Sequence, residues 1–282
     1  MNEGYEGGCK EDTDECATLA APTPTDAAAA DAGEDLALRG ELDGKLLREL
    51  VEAAAKIVDK AQLNVSARGI YLKAMDDSRV AMIVIEIPTA TFAAYTCNRE
   101  QQIGVDLAVL KDIIRRCYAG NVQLELDMSA ARLRIRSKGK GTKTFSLPLI
   151  MISDESLSEP KIPMSASATM PAAALMAYIN DAAIVSSLVT FNAIDDRLEI
   201  SASGDNGDLF VPVTKEDDLI TMTLQERTHA SYSLNYLVKM ASLASENVTI
   251  SFSTNYPMHI KYNMENGARL EYWLAPRVEE NV

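Results

Sequence analysis

The chain has 282 residues, 47% of them hydrophobic, and a net charge of −14 at pH 7. That length accommodates one large core or two domains of common size, while the negative balance argues against unaided adhesion to nucleic acid, where Lys and Arg must displace counterions from phosphates. Four scattered cysteines, with His229 and His259 the only histidines, suggest neither a disulfide framework nor a zinc site and leave few bases for hydrolytic chemistry.

From Met1 to Leu36 there are ten Asp or Glu against Lys10 alone, so most of the excess charge lies at the N-terminal end. Residues 1–35 are rich in Gly, Ala, Pro and Thr without apolar periodicity, and they are expected to be a disordered acidic tail. No apolar run is long enough to cross a bilayer, and the acidic N-terminus does not read as a secretory signal. A soluble protein in a reducing compartment is expected.

From Leu42 the pattern changes. Leu46, Leu47, Leu50, Val51, Ala54, Ile57, Val58 and Ala61 fall on one side of a helical wheel, with Lys45, Arg48, Glu49, Glu52, Lys56 and Asp59 on the other. Strands are predicted over 63–67, 70–75 and 80–87, the last ended by Pro88. A second amphipathic helix buries Leu107, Val109, Leu110, Ile113, Ile114 and Cys117 and exposes Lys111, Arg115 and Arg116. Strands follow over 122–126, 132–136 and 143–149; in the second of these Arg132, Arg134 and Arg136 alternate with Leu133 and Ile135 and share the face turned away from the helices.

The second half repeats this order. Val105-Asp-Leu matches Tyr232-Ser-Leu, Val122-Gln-Leu-Glu-Leu matches Val248-Thr-Ile-Ser-Phe, and Phe145-Ser-Leu matches Tyr272-Trp-Leu, at offsets of 126 to 127 residues. Each copy reads as an α+β unit with two helices on one face of an antiparallel sheet. The expected division is domain 1 over 36–150, an exposed connecting loop over 151–164 with its acids and prolines, and domain 2 over 165–282. Gly204-Asp-Asn-Gly207 is a hairpin turn signal and not a phosphate loop. Asp76 and Asp77 form an acidic pair that could bind metal or work as acid and base, but no second ligand cluster matches them in the other half, and a turn-stabilising role is favoured.

Several strings resemble proliferating cell nuclear antigen (PCNA), the replication clamp of archaea and eukaryotes, with wording nearer the archaeal members. They are Gly69-Ile-Tyr-Leu-Lys-Ala-Met-Asp-Asp-Ser-Arg-Val80, Phe92-Ala-Ala-Tyr95, Ile103-Gly-Val-Asp-Leu107 and Leu274-Ala-Pro-Arg-Val278. The resemblance spans about Leu36 to Glu280. It implies the DNA clamp fold, with three subunits closing into a ring, sheets outside and helices around a hole for double-stranded DNA, and no catalytic site, metal or cofactor. By family position the strand near Thr142–Pro148 pairs with the strand near Asp208–Thr214 of the next subunit.

Such a ring needs scattered cations near phosphates and no readers of base edges. Lys45, Arg48, Lys111, Arg115, Arg116 and Lys239 are the expected DNA-facing residues. The helix predicted over 171–183 carries no Lys or Arg, which departs from the family's lining and keeps open one subunit of a heterotrimeric ring. Carried over position by position, a docking pocket for partner peptides takes Met75, Val80 and Met82 from domain 1, Leu157 from the connecting loop, and Pro257, Trp273, Ala275, Pro276 and Val278 from domain 2. The pocket is expected to be an exposed apolar patch with a polar rim. The partners implied are DNA polymerase, the clamp loader replication factor C, flap endonuclease and DNA ligase, with no membrane. The implied location is cytoplasmic and nucleoid-associated, or nuclear in a eukaryote. An enzyme using Asp76 and Asp77 is the rival reading from another class.

Overall fold

The computed structural model of the chain describes residues 36–152, 157–243, 245–264 and 267–277. The expected acidic tail and the pocket residue Val278 lie outside the described residues. The first half contains strands β1 (Leu36–Asp43), β2 (Lys60–Ser66), β3 (Gly69–Met75), β4 (Ala81–Pro88), β5 (Ala94–Cys97), β6 (Gln101–Asp106), β7 (Asn121–Asp127), β8 (Arg132–Lys138) and β9 (Thr142–Pro148). Helix α1 (Gly44–Ala55) follows β1, and helix α2 (Leu107–Arg116) follows β6.

The second half repeats this succession element for element: β10 (Ala166–Pro171), α3 (Ala172–Val185), β11 (Leu188–Ile194), β12 (Arg197–Gly204), β13 (Gly207–Val213), β14 (Thr221–Leu224), β15 (Thr228–Ser233), α4 (Leu234–Met240), β16 (Asn247–Phe252), β17 (Met258–Asn263) and β18 (Arg269–Leu274). The repeat legible in the sequence is therefore a repeat of topology.

Local chemistry sets the helix boundaries. Asp43 caps α1 by accepting from the Leu46 N–H at 2.8 Å, and Asp106 caps α2 by accepting from the Val109 N–H at 3.0 Å. The apolar stripe predicted for the first helix ran to Ala61, but α1 ends at Ala55. The Ile57 and Val58 N–H groups fold back onto the Ala54 carbonyl, and Ala61 instead pairs with Val105 across β2 and β6. A strand ladder offering a hydrogen bond on both sides outcompetes another turn of β-branched helix. In α2, Val109 is exposed rather than buried; its place one turn from the cap turns it away from the sheet. Strands β1, β5 and β6 were not predicted, since each reaches strand form through its ladder partners rather than through a clear apolar alternation of its own.

Three antiparallel sheets result among the described residues, ordered β5-β1-β7-β8-β9, β14-β10-β16-β17-β18-β4-β3-β2-β6 and β13-β12-β11-β15. The nine-stranded sheet runs through both halves, because β18 pairs with β4: Tyr272 lies opposite Ile83 and Trp273 opposite Met82. Strands β9 and β13 each end a sheet. Strands β12 and β13 are joined by the two-residue turn Asp205-Asn206, and Gly207 just after it takes φ 129°, a backbone conformation open to glycine. After β9 the chain returns to β6, where the Ile150 N–H donates to the Gly104 carbonyl at 2.9 Å. A Cβ on Gly104 would lie 2.2 Å from the Ile150 oxygen, so glycine admits the strand that launches the connecting loop.

The helices cover one face. Leu46, Leu50, Leu107, Leu110, Leu175, Ile179 and Leu237 join the sheet interior in one continuous core. Helices α1 and α2 pack together, as do α3 and α4, and Lys56 beyond the end of α1 bonds to Ser242 beyond the end of α4. The four helices of the described residues thus lie side by side in the order α2, α1, α4, α3. Among the described residues no helix is long and apolar enough to cross a membrane.

Candidate functional site

Alternation along β4 and β18 sends side chains to both faces of the nine-stranded sheet. Ile83, Ile85, Tyr272 and Leu274 join the main core, whereas Met82, Val84 and Trp273 face outward and form a separate apolar cluster. Tyr71, Met75, Leu157 and Met164 pack against it. Trp273 is only 8% exposed, Met82 2% and Val84 0%. An outward sheet face so thoroughly covered needs a lid, and here Leu157 and Met164 of the connecting loop contribute to it. The Tyr71 hydroxyl donates to Glu159 Oε1 of the same loop at 2.9 Å.

Polar groups border the cluster. The His259 ring stacks on the Trp273 indole, with centroids 4.3 Å apart and 15° between planes, and its Nε2 lies 3.1 Å from Glu271 Oε2. The Arg269 guanidinium donates to the other Glu271 oxygen at 3.2 Å. The His259 hydrogen bond, together with the Arg269 and Lys261 charges, holds the Glu271 carboxyl below the usual carboxylate range against the opposing effect of burial. The Trp273 Nε1 proton finds no acceptor among the described residues.

Asp76 is buried at the turn between β3 and β4. Its Oδ1 accepts from the Val80 and Ala81 N–H groups at 2.8 and 2.7 Å, and its Oδ2 accepts from the Tyr236 hydroxyl of α4 at 2.6 Å and the Ser78 N–H at 3.3 Å. One carboxylate thereby closes a turn of the first half and ties it to a helix of the second. Burial pushes its pKa upward, but the Tyr236 hydroxyl and the three backbone donors outweigh that and hold it below the usual range. Its contribution to stability is therefore complete above the ordinary carboxylate pKa of about 3.9 and is lost as pH falls through the depressed folded value. Asp76→Ala is expected to lower stability by about 3 kcal/mol, or roughly 8 °C in Tm, in a thermal melt at neutral pH. A shift below 2 °C would contradict this role. Asp77, its neighbour, is exposed.

Profiles of the proliferating cell nuclear antigen N-terminal and C-terminal domains match residues 40–154 and 159–277. A protein of Pyrococcus horikoshii named DNA polymerase sliding clamp is 32% identical over 239 residues, covering 84% of this chain and 96% of that relative. The chain belongs to the proliferating cell nuclear antigen family. A clamp of the same name from Pyrococcus furiosus is 31% identical over 240 residues, again 84% and 96% of the two chains. The PCNA crystal structure of Thermococcus kodakaraensis shares the fold with a TM-score of 0.82 at 24% identity, covering 85% of this chain and all of that one. The corresponding Entamoeba histolytica structure gives 0.81 at 21% identity, covering 86% of this chain and all of that one.

In this PCNA-family chain the residues expected at the pocket divide. Met75, Met82, Leu157 and Trp273 come together in the outward cluster. Val80 packs on the main core instead, since the turn capped by Asp76 draws it in, although its carbonyl accepts from the Ala275 N–H at 2.8 Å. Pro257, Ala275 and Pro276 are half-buried beyond the cluster. The patch is not open as expected, because the connecting loop lies on it. Val84, Tyr71 and Met164 were missed; the alternation Met82-Val84 opposite Trp273 was the signal that could have found them.

The expected DNA-facing residues also divide. Lys45 is 85% exposed in its side chain, with Glu49 Oε1 4.0 Å away. Lys111 is half-buried on α2. Arg115 is bound to Glu52 of α1 at 2.6 Å, so its charge is largely spent within the helix layer. Arg116 sits at the end of α2 beside β9, its carbonyl accepting from Lys143 Nζ at 2.9 Å. Arg48 is half-buried, and Lys239 lies over the Tyr236 ring, 5.7 Å from its centroid. Arg132 and Arg136 are exposed on the face of β8 opposite the buried Leu133 and Ile135, as the alternation predicted.

Proposed function

We propose that this chain acts as a sliding clamp, three copies closing head to tail around double-stranded DNA, and that it holds polymerase on the template without any turnover of its own. The observation that carries the reading is the β18–β4 ladder inside the chain. By the internal repeat, β9 stands in the first half where β18 stands in the second, and β13 stands in the second half where β4 stands in the first. Both are sheet edges, and an edge with unpaired N–H and C=O groups is a template for another strand.

Transferring the internal register puts Phe145 opposite Leu209 and Thr144 opposite Phe210, as Tyr272 lies opposite Ile83 and Glu271 opposite Val84. Charge supports the same pairing. Arg116, Lys138, Lys140 and Lys143 crowd the β9 end, whereas Asp181, Asp205 and Asp208 lie at the β13 end. Phe210 and Ile184, 61% and 71% exposed, lie at that same end and gain a cover. One edge that complements the other on the same chain favours a ring of identical copies over a mixed one, and a heterologous contact of this kind closes when its rotation fits.

In such a ring the row of four helices lines the hole, with Lys45 and Lys111 nearest to free charge for sequence-independent phosphate contact. The outward cluster around Trp273 then serves short docking peptides from polymerase, replication factor C, flap endonuclease and DNA ligase, in the cytoplasm at the nucleoid. Light scattering of the purified chain is expected to give three times the chain mass, and added chain should lengthen the products of an archaeal replicative polymerase on primed circular DNA. A lone chain at micromolar concentration, or unchanged product length, would sink the reading.

A further inference from the structure

We infer that Asn206 is a self-modifying residue: in the folded chain its side-chain amide is lost as ammonia to attack by the Gly207 nitrogen, leaving aspartate or isoaspartate in the turn between β12 and β13. The run Asp205-Asn206-Gly207-Asp208 puts the one residue type without a Cβ directly after an asparagine. Attack on Asn206 Cγ by the next backbone nitrogen closes a succinimide ring, and a side chain on the following residue would crowd that approach. Here the approach is open. Asp205, Asn206 and Gly207 are all exposed, and apart from its chain neighbours no heavy atom lies within 4 Å of the place a Cβ on Gly207 would take. The step balances with water as its only co-reactant. The Gly207 nitrogen gives up its proton and bonds to Asn206 Cγ, the bond from Cγ to Nδ2 breaks, and Nδ2 leaves as ammonia with that proton. Water then adds to one carbonyl carbon of the ring and breaks its bond to the nitrogen, which regains a proton. Opening at Cγ gives aspartate; opening at the main-chain carbon gives isoaspartate, whose backbone is longer by one carbon.

The surroundings give the change a consequence, because the turn leans on the C-terminal end of α3. A Cβ on Gly204 would lie 2.2 Å from the Val185 oxygen. The Asn206 amide donates to the Ile184 carbonyl at 3.5 Å, the long end of the hydrogen-bond range, so Nδ2 is weakly held. Both carbonyls belong to the last turn of α3, the end at which a helix carries negative partial charge. An amide donor suits that place and a carboxylate does not. The modified turn therefore loses its bond to Ile184 and is repelled from the helix end. Isoaspartate also lengthens the turn where Gly204 leaves no slack. Ile184 and β13 lie at the edge proposed above to join another copy, so the change marks an aged chain there, while the reaction itself needs no ring.

The full chain, kept folded for days in mildly alkaline buffer made with heavy-oxygen water, is to be cut and its peptides weighed. The peptide holding Asn206 is expected to gain the mass of an amide turned acid with one heavy oxygen, and a protein isoaspartate methyltransferase should label it. Asn266-Gly267 is the chain's other Asn-Gly pair, and peptide mapping separates the two. Asn206→Gln, whose attack needs a larger ring, should slow the loss at least about tenfold. Asn206→Asp, which sets the product carboxylate in place from the start, is expected to melt about 3 °C below the unaltered chain. Conversion of Asn206 in urea but none in the folded chain would overturn the inference. Equal melting of Asn206→Asp and the unaltered chain would overturn its consequence for the end of α3.

Discussion

A chain carrying Phe210→Lys together with Ile184→Lys is expected to run as a single copy in light scattering, with a melting temperature within about 2 °C of the unaltered chain. Both side chains are largely exposed in the single chain, so neither substitution disturbs the core. In the proposed ring Phe210 lies opposite Thr144, whose own ladder partner is Arg136, and Ile184 takes the place that Lys56 holds beside Ser242 inside the chain. By the internal repeat, the end of α2 with Arg115 and Arg116 takes the place of Ser242 there. Each substitution thus takes away an apolar cover and sets a new cation against existing ones. Losing partial burial of Phe and Ile costs about 3 kcal/mol per interface, and the repulsion adds to it. The interface dissociation constant should then rise at least about a hundredfold. Persistence of the three-copy mass at micromolar concentration would show that β13 is not the joining edge.

The second large effect is expected in the hole. Lys45→Glu with Lys111→Glu should leave the particle mass unchanged and shorten its retention on closed circular DNA at least about tenfold in moderate salt. Each substitution is repeated in every copy, so a ring gives up several phosphate-neutralising cations at once and gains an equal number of repelling carboxylates. The salt dependence of retention should flatten by about 0.9 in logarithmic slope for each phosphate left unneutralised. Arg115 is the poorer test, because its guanidinium already belongs to Glu52. Helix α3 contributes no Lys or Arg, so the second half offers little to compensate. Equal retention of the double variant and the unaltered chain would remove α1 and α2 from the DNA-facing wall.

Much of this was readable in one dimension. The duplicated order of elements, the two amphipathic helices of the first half, the β12–β13 turn and the outward arginines of β8 all follow from local periodicity, which side-chain alternation and helical spacing encode directly. Asp76 as a turn residue followed from short-range hydrogen-bonding chemistry, but its bond to Tyr236 spans 160 residues and has no local trace. The resemblance named Met75, Met82, Leu157 and Trp273, which the structure brings together in one outward cluster. It did not reveal that the connecting loop lies on that cluster, or that Val80 turns inward while Val84 turns out.

Taken alone, the amino-acid order determined which residues are apolar, at what period, and that the pattern occurs twice; these depend on near neighbours in the chain. Only the tertiary structure decided where α1 stops, which cations remain free, and that β18 lies beside β4 while β9 and β13 are left as edges. Those outcomes turn on contacts between residues far apart in the chain, where strand ladders and ion pairs compete for the same groups, and no local pattern records which competitor prevails.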